Sequence, residues 1–211
     1  MNILEKIEQL GVMPVIVIDN ADDAPALAEA LLAGGVYAAE ITMRTAAGRA
    51  AIEKMSKEYP DMLVGAGTVL TAEAALDAIN AGSSVIVSPG FNPAVAEVCA
   101  KYNIPYLPGV VTPTEIDMAL SHGINWLKFF PAESFGGAKT IKALSAPYSD
   151  VKFMPTGGIT LDNIADYLKL PCIYCCGASF IAERALIREH SFAEITRRCA
   201  DAVELVKQIR G

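Results

Sequence analysis

Apolar positions along the chain fall into short, nearly continuous runs separated by stretches in which apolar residues recur at helical spacing. The runs at 13–18, 37–42, 62–67, 84–88, 105–108, 126–130, 152–156 and 172–176 are four to six residues long and rich in Val, Ile and aromatic side chains. Runs of this kind read as strands covered on both faces rather than strands with one wet side. Between them the pattern predicts helices at 2–10, from after Asn20 to about Leu32, at 46–58, 71–80, 93–102, 112–123, 137–145, 161–168 and 191–209. Punctuation agrees with the periodicity. Gly34-Gly35, Gly82 and Gly123 stand where helices should stop, and Thr71 and Thr112-Pro113 where they should start. Eight strands, each followed by a helix, at intervals of roughly 20 to 27 residues, predict an α/β fold: a (β/α)8 barrel with an extra N-terminal helix. An open doubly wound sheet is the structural alternative. It often carries a Gly-rich turn after its first strand, and Asp19-Asn20-Ala21-Asp22 has no glycine.

No linker or composition break divides the chain, so residues 1–211 are expected to form a single barrel domain. With 53% hydrophobic and 19% charged residues it can bury a large core. The net charge of −7 lacks the basic stripe that nucleic acid or an anionic membrane would need. No apolar run reaches the ~18 residues of a membrane span, and Met1-Asn2-Ile3-Leu4-Glu5-Lys6 opens as an amphipathic charged helix rather than a signal peptide. Five cysteines without framework spacing point to a reducing cytoplasm. Cys172 and Cys175 form a C-x-x-C with no second pair, better read as small apolar residues.

The chemistry concentrates at the C-terminal ends of the predicted strands, where barrels place their sites. In Trp126-Leu127-Lys128-Phe129-Phe130-Pro131 a lysine interrupts an apolar strand. A buried lysine is disfavoured in its charged form, and a neutral amine in an apolar pocket can attack a ketone to form a Schiff base. The competing reading is an edge-strand lysine reaching out to water. Glu40, on the second strand, is either a proton shuttle beside such an amine or half of a structural ion pair. Arg44 can clamp a carboxylate or simply lie on the surface; Thr68 can donate to one or simply begin a turn. Thr156-Gly157-Gly158 and Gly177-Ala178-Ser179 end the seventh and eighth strands, the positions where barrels frequently hold phosphate on backbone N–H groups. His122 and His190 lie at helix ends, and no His or carboxylate cluster has metal-ligand spacing.

Seven segments taken in order resemble one known family: Val12-Met13-Pro14-Val15-Ile16, Glu40-Ile41-Thr42-Met43-Arg44-Thr45, Val64-Gly65-Ala66-Gly67-Thr68-Val69-Leu70, Ser88-Pro89-Gly90, Pro108-Gly109-Val110, Lys128-Phe129-Phe130-Pro131-Ala132-Glu133 and Pro155-Thr156-Gly157-Gly158-Ile159. They look like the bacterial KDPG/KHG aldolases, class I enzymes acting on 2-keto-3-deoxy-6-phosphogluconate and 4-hydroxy-2-oxoglutarate. The resemblance implies Lys128 as the Schiff-base lysine and Glu40 as general acid/base. It also implies Arg44 and Thr68 as ligands of the pyruvate carboxylate, and Pro89 and Phe130 as walls of the pocket. Thr156, Gly157, Gly158, Gly177 and Ser179 would complete the substrate site, the glycines and serine at its phosphate end. It further implies a homotrimer, no metal or other cofactor, and a place in the Entner-Doudoroff pathway. Ala178 departs from the Gly-Gly-Ser of close relatives, and would be strained if the backbone there were left-handed. A phosphosugar isomerase or synthase would explain the glycine pairs but not the lysine; a non-catalytic sugar-phosphate binding barrel is the remaining alternative.

Overall fold

Strands and helices alternate almost throughout the computed structural model, which describes residues 2–211. Helix α1 (Ile3–Leu10) starts at a capping box, with the Asn2 side chain accepting from Glu5 N–H and Glu5 returning the bond, and stops at left-handed Gly11. It leads into β1 (Val12–Ile16), α2 (Ala24–Ala33), β2 (Ala38–Thr42), α3 (Gly48–Glu58) and β3 (Leu63–Gly67). Thr71 caps α4 (Ala72–Asn80) through Ala74 N–H. After β4 (Val85–Val87), α5 (Pro93–Lys101), β5 (Tyr106–Leu107) and β6 (Gly109–Val110), a second capping box, Thr112 with Glu115, opens α6 (Pro113–Ser121). The remainder is β7 (Trp126–Phe129), α7 (Gly137–Ser145), β8 (Lys152–Pro155), α8 (Ile164–Leu168), β9 (Cys176–Ala178), α9 (Arg184–Arg188) and α10 (Phe192–Arg210).

All strand pairs are parallel. They form a curled six-stranded sheet in the order β5-β4-β3-β2-β1-β9 and a three-stranded sheet in the order β6-β7-β8. The parallel α/β class read from the pattern stands. One continuously hydrogen-bonded ring of eight strands is not what the ladders draw, and the two breaks have separate causes. The expected fifth strand is cut at Pro108, which has no N–H to give a ladder. Tyr106 and Leu107 within it pair with β4, and the residues just beyond it, Gly109 and Val110, pair with β7 as a further short strand. The expected eighth strand at 172–176 begins in a turn after Pro171. It meets β8 only at two isolated bridges, Phe153 with Ile173 and Thr156 with Gly177.

Alternation along the strands separates two cores. The larger lies between sheet and helices and includes Ile16, Ile41, Val64, Ile86, Leu127 and Phe153. A smaller one fills the inside of the curl with Met13, Val85, Val87, Leu107, Met154 and Tyr174, and α1 closes it from below with Ile7. The inner plug leaves only the far, C-terminal mouth for polar chemistry.

Candidate active site

Glu40 sits on β2 in register with Val15 of β1 and Gly65 of β3. Lys128 sits on β7 in register with Gly109 of β6 and Met154 of β8. Both side chains point into the curl and meet across it. Lys128 Nζ donates to Glu40 Oε1 at 3.1 Å and lies 3.5 Å from Oε2. Glu40 is fully buried and Lys128 is 5% exposed, so the snorkelling reading of the lysine falls. The Phe130 ring lies beside the amine, its centroid 5.4 Å from Nζ. Gly67 makes room for the carboxylate: a Cβ there would stand 2.2 Å from Glu40 Oε1. The close approach at this glycine is therefore made by a side chain of the site itself.

Around this pair the other candidates form the rim. Arg44 Nε donates to Thr68 Oγ1 at 3.2 Å. Thr68 adopts φ 59°, a left-handed conformation that costs a β-branched residue roughly 1–3 kcal/mol and that the surrounding structure must hold. Pro89 packs its carbonyl against Gly109, where a Cβ would lie 1.9 Å from that oxygen, and so borders the strand pair carrying Lys128. Thr156 is buried and its hydroxyl has no hydrogen-bond partner among the described residues. Gly177 abuts that hydroxyl so closely that a Cβ would reach it at 2.2 Å.

Gly157 and Gly158 have φ of 95° and 81°, which only glycine adopts freely. Gly157 rests on Pro131 and Phe130, and Gly158 on the Glu133 side chain. The Gly157 carbonyl accepts from Glu133 N–H at 3.1 Å, and the Gly158 carbonyl from Asn163 Nδ2 at 2.9 Å. Glu133 is in turn held by the Tyr167 hydroxyl. Burial, with the Glu133 carboxylate second, pushes the Tyr167 phenol up from its ordinary value. Ala178 pairs with Pro14 in regular strand geometry and carries no positive φ, so the anticipated strain does not arise. Ser179 is exposed beyond it.

One group at the rim went unread in the sequence. Asp19, past the end of β1, accepts from Arg184 Nε at 2.8 Å and Nη2 at 2.5 Å, and from Arg188 Nε at 2.6 Å. The Arg184 hydrogen bond, seconded by Arg188, holds the Asp19 carboxyl well below the usual carboxylate range. A signal did exist: two arginines four apart sit on one helical face beyond the last strand. Of the two histidines, His122 caps α6, and His190, after α9, lies 3.1 Å from Asp23 Oδ1 through its Nε2. All five cysteines are free.

A buried lysine–carboxylate pair at the mouth of a parallel α/β fold is an arrangement that can support amine-based carbonyl chemistry. The profile described as KDPG and KHG aldolase matches residues 3–198. A 2-dehydro-3-deoxy-phosphogluconate aldolase of Haemophilus influenzae is 45% identical over 97% of both chains. A KHG/KDPG aldolase of Escherichia coli is 38% identical over 93% of this chain and 92% of its own. Among solved structures, a Legionella pneumophila KDPG aldolase with pyruvate captured as a covalent carbinolamine superposes with a TM-score of 0.91. It is 40% identical and covers 94% of this chain and 97% of its own. The chain belongs to the KDPG and KHG aldolase family.

Proposed function

We propose that this chain is a class I aldolase. It cleaves 2-keto-3-deoxy-6-phosphogluconate to pyruvate and D-glyceraldehyde 3-phosphate, and 4-hydroxy-2-oxoglutarate to pyruvate and glyoxylate. The observation that carries the reading is the buried contact of Lys128 with Glu40. Family membership supports it.

The pair is arranged to exchange one proton. Transfer from Lys128 to Glu40 leaves a neutral amine whose lone pair attacks the substrate C2 ketone. The nitrogen passes one proton to the new alkoxide, Glu40 delivers its own to the resulting hydroxyl, water leaves, and an iminium remains on Nζ. The Glu40 carboxylate next removes the C4 hydroxyl proton. The C3–C4 bond breaks, its electrons pass into the iminium, and the aldehyde departs. The resulting enamine takes a proton back at C3, and hydrolysis of the pyruvate iminium restores the lysine. In this reading Arg44 and Thr68 hold the carboxylate of the pyruvate portion. Pro89 and Phe130 keep bulk water from the iminium. Thr156 offers its unpartnered hydroxyl to the substrate beside Gly177. Gly157, Gly158 and Ser179 receive the phosphate.

The test is chemical trapping. Borohydride added with pyruvate should leave one irreversible pyruvate adduct, located on Lys128 by peptide mass mapping. Absence of an adduct on that residue, in protein that still cleaves substrate, removes the mechanism.

The assembly we propose is the homotrimer implied by the family likeness. Exposed apolar side chains, Leu70 and Phe135 among them, are available for subunit contacts. A cytoplasmic location is proposed on the five free cysteines; no helix among the described residues is long and apolar enough to cross a membrane.

A further inference from the structure

A phosphate dianion held only by glycine N–H groups and a serine hydroxyl has hydrogen bonds but no counter-charge. The structure places one close by. A cavity of about 350 Å³ opens between the loops that follow β8 and β9, lined among others by Ile159, Thr160, Ser179, Glu183 and Arg184. Arg184 is the one cationic residue among the described residues that line it. Its guanidinium has five N–H donors in a rigid fork. Nε and one Nη2 hydrogen are committed to Asp19, and Nη1 has no protein partner among the described residues. Asp19 thereby fixes the plane of the fork and leaves its other edge free.

The charge count is favourable too. Arg188 shares the same Asp19 oxygen as Arg184 Nε, so the trio of two arginines and one carboxylate is a net cation. Glu183 is the one carboxylate lining the cavity, and its Oε1 faces Arg198 Nη1 at 3.3 Å. The cavity thus offers an anion a guanidinium with one uncommitted edge, and its acidic neighbour is already paired.

We infer that Arg184, aimed by Asp19, is a specificity-determining ligand of the substrate phosphate in this chain. The inference rests on the aldolase reading above for the substrate, and on the cavity for the contact. Arg184 binds the phosphate through its free edge beside Ser179, while Asp19 acts as a positioning residue and Arg188 only balances the charge of Asp19.

The experiment pairs a binding measurement with kinetics. Inorganic phosphate is titrated calorimetrically into wild type, Arg184→Gln and Arg188→Gln. kcat and KM are then measured for phosphorylated 2-keto-3-deoxy-6-phosphogluconate and for unphosphorylated 4-hydroxy-2-oxoglutarate. Loss of a charge-assisted bidentate contact should weaken phosphate binding and raise KM for the phosphorylated substrate about tenfold or more in Arg184→Gln. Its kinetics with the unphosphorylated substrate should stay at wild-type level, and Arg188→Gln, which only neutralises the trio, should weaken phosphate binding clearly less than Arg184→Gln does. Equal phosphate affinity in Arg184→Gln and wild type overturns the inference. So does an equal loss in both variants, which would make the effect a general field. A parallel loss on both substrates also overturns it, because that is structural damage. If wild type binds phosphate through Arg184 yet cleaves neither substrate, the contact stands and the aldolase reading falls.

Discussion

The cost of the central ion pair belongs to two side chains. Taking a lysine and a glutamate out of water is repaid only while each has the other, and removing one partner of such a buried pair costs roughly 3–5 kcal/mol. Lys128→Met should therefore lower the urea midpoint markedly, because it leaves Glu40 sealed without a counter-charge. Adding Glu40→Gln to it should recover most of that loss, while turnover stays down by a factor of roughly 10³ or more in both proteins. Equal midpoints for wild type and Lys128→Met would mean that the pair does not meet in solution. At this scale much was legible in the chain. A lysine within an apolar strand is anomalous on its face, and the carboxylate on β2 was the matching anomaly. That Glu40 would face such an amine was read; the direct contact at 3.1 Å was not, since it depends on register across the curl. Nor was the reason for Gly67, whose missing Cβ is occupied by Glu40. Thr68 shows the converse: nothing in its local sequence asks for φ 59°, a conformation held from outside.

Elements were legible where periodicity and caps coincide, and were misread where backbone chemistry intervenes. The capping box of Thr112 and the threonine cap at 71 fall where expected. The pattern stops the fifth strand at Pro108, which has no N–H to give a ladder, and misses β6 just beyond it, which rejoins the sheet through β7. The residues before Cys176 look like strand, yet they leave the turn after Pro171 too late to pair fully. The short α9, which carries Arg184, was absorbed into a loop in the reading of the pattern, and the phosphate-side cation was lost with it. The loop after β8 makes the element-scale prediction. Its two left-handed glycines are braced by Glu133, which Tyr167 holds from below. Tyr167→Phe deletes that hydroxyl without changing the packing of a buried ring. It should cost about 1–2 kcal/mol in stability and reduce kcat/KM for the phosphorylated substrate several-fold, leaving the unphosphorylated one near wild type. A uniform fall on both substrates would show that the brace supports the whole mouth and not the glycine loop.

Closure of the molecule falls to α10, and its interactions carry a pH signature. Arg210, at its end, donates to the Glu8, Ile173 and Tyr174 carbonyls, and Thr196 donates to the Ala30 carbonyl, so the last helix ties α1, α2 and the segment before β9 together. Near its start Glu194 accepts from Arg197 Nη2 at 2.7 Å and Arg198 Nε at 2.8 Å. Those hydrogen bonds, Arg197 first, lower its carboxyl from the ordinary 4.5 to about 2. A carboxyl depressed on folding binds its proton more readily in the unfolded chain, so its contribution is complete above about 4.5 and vanishes as pH falls through about 2. Asp19 is depressed in the same direction by Arg184 and Arg188 and adds to the same acid limb. Surface pairs of this kind are individually weak and screened by salt. The prediction therefore concerns the shape of a difference rather than its size. In low salt the melting temperature of Glu194→Gln should lie slightly below wild type at pH 7, with the gap constant down to about pH 5 and closing between about 4.5 and 2. A gap that persists undiminished at pH 2 would assign the loss to packing of the substituted side chain, and the carboxylate of Glu194 would no longer be what fastens the start of the closing helix.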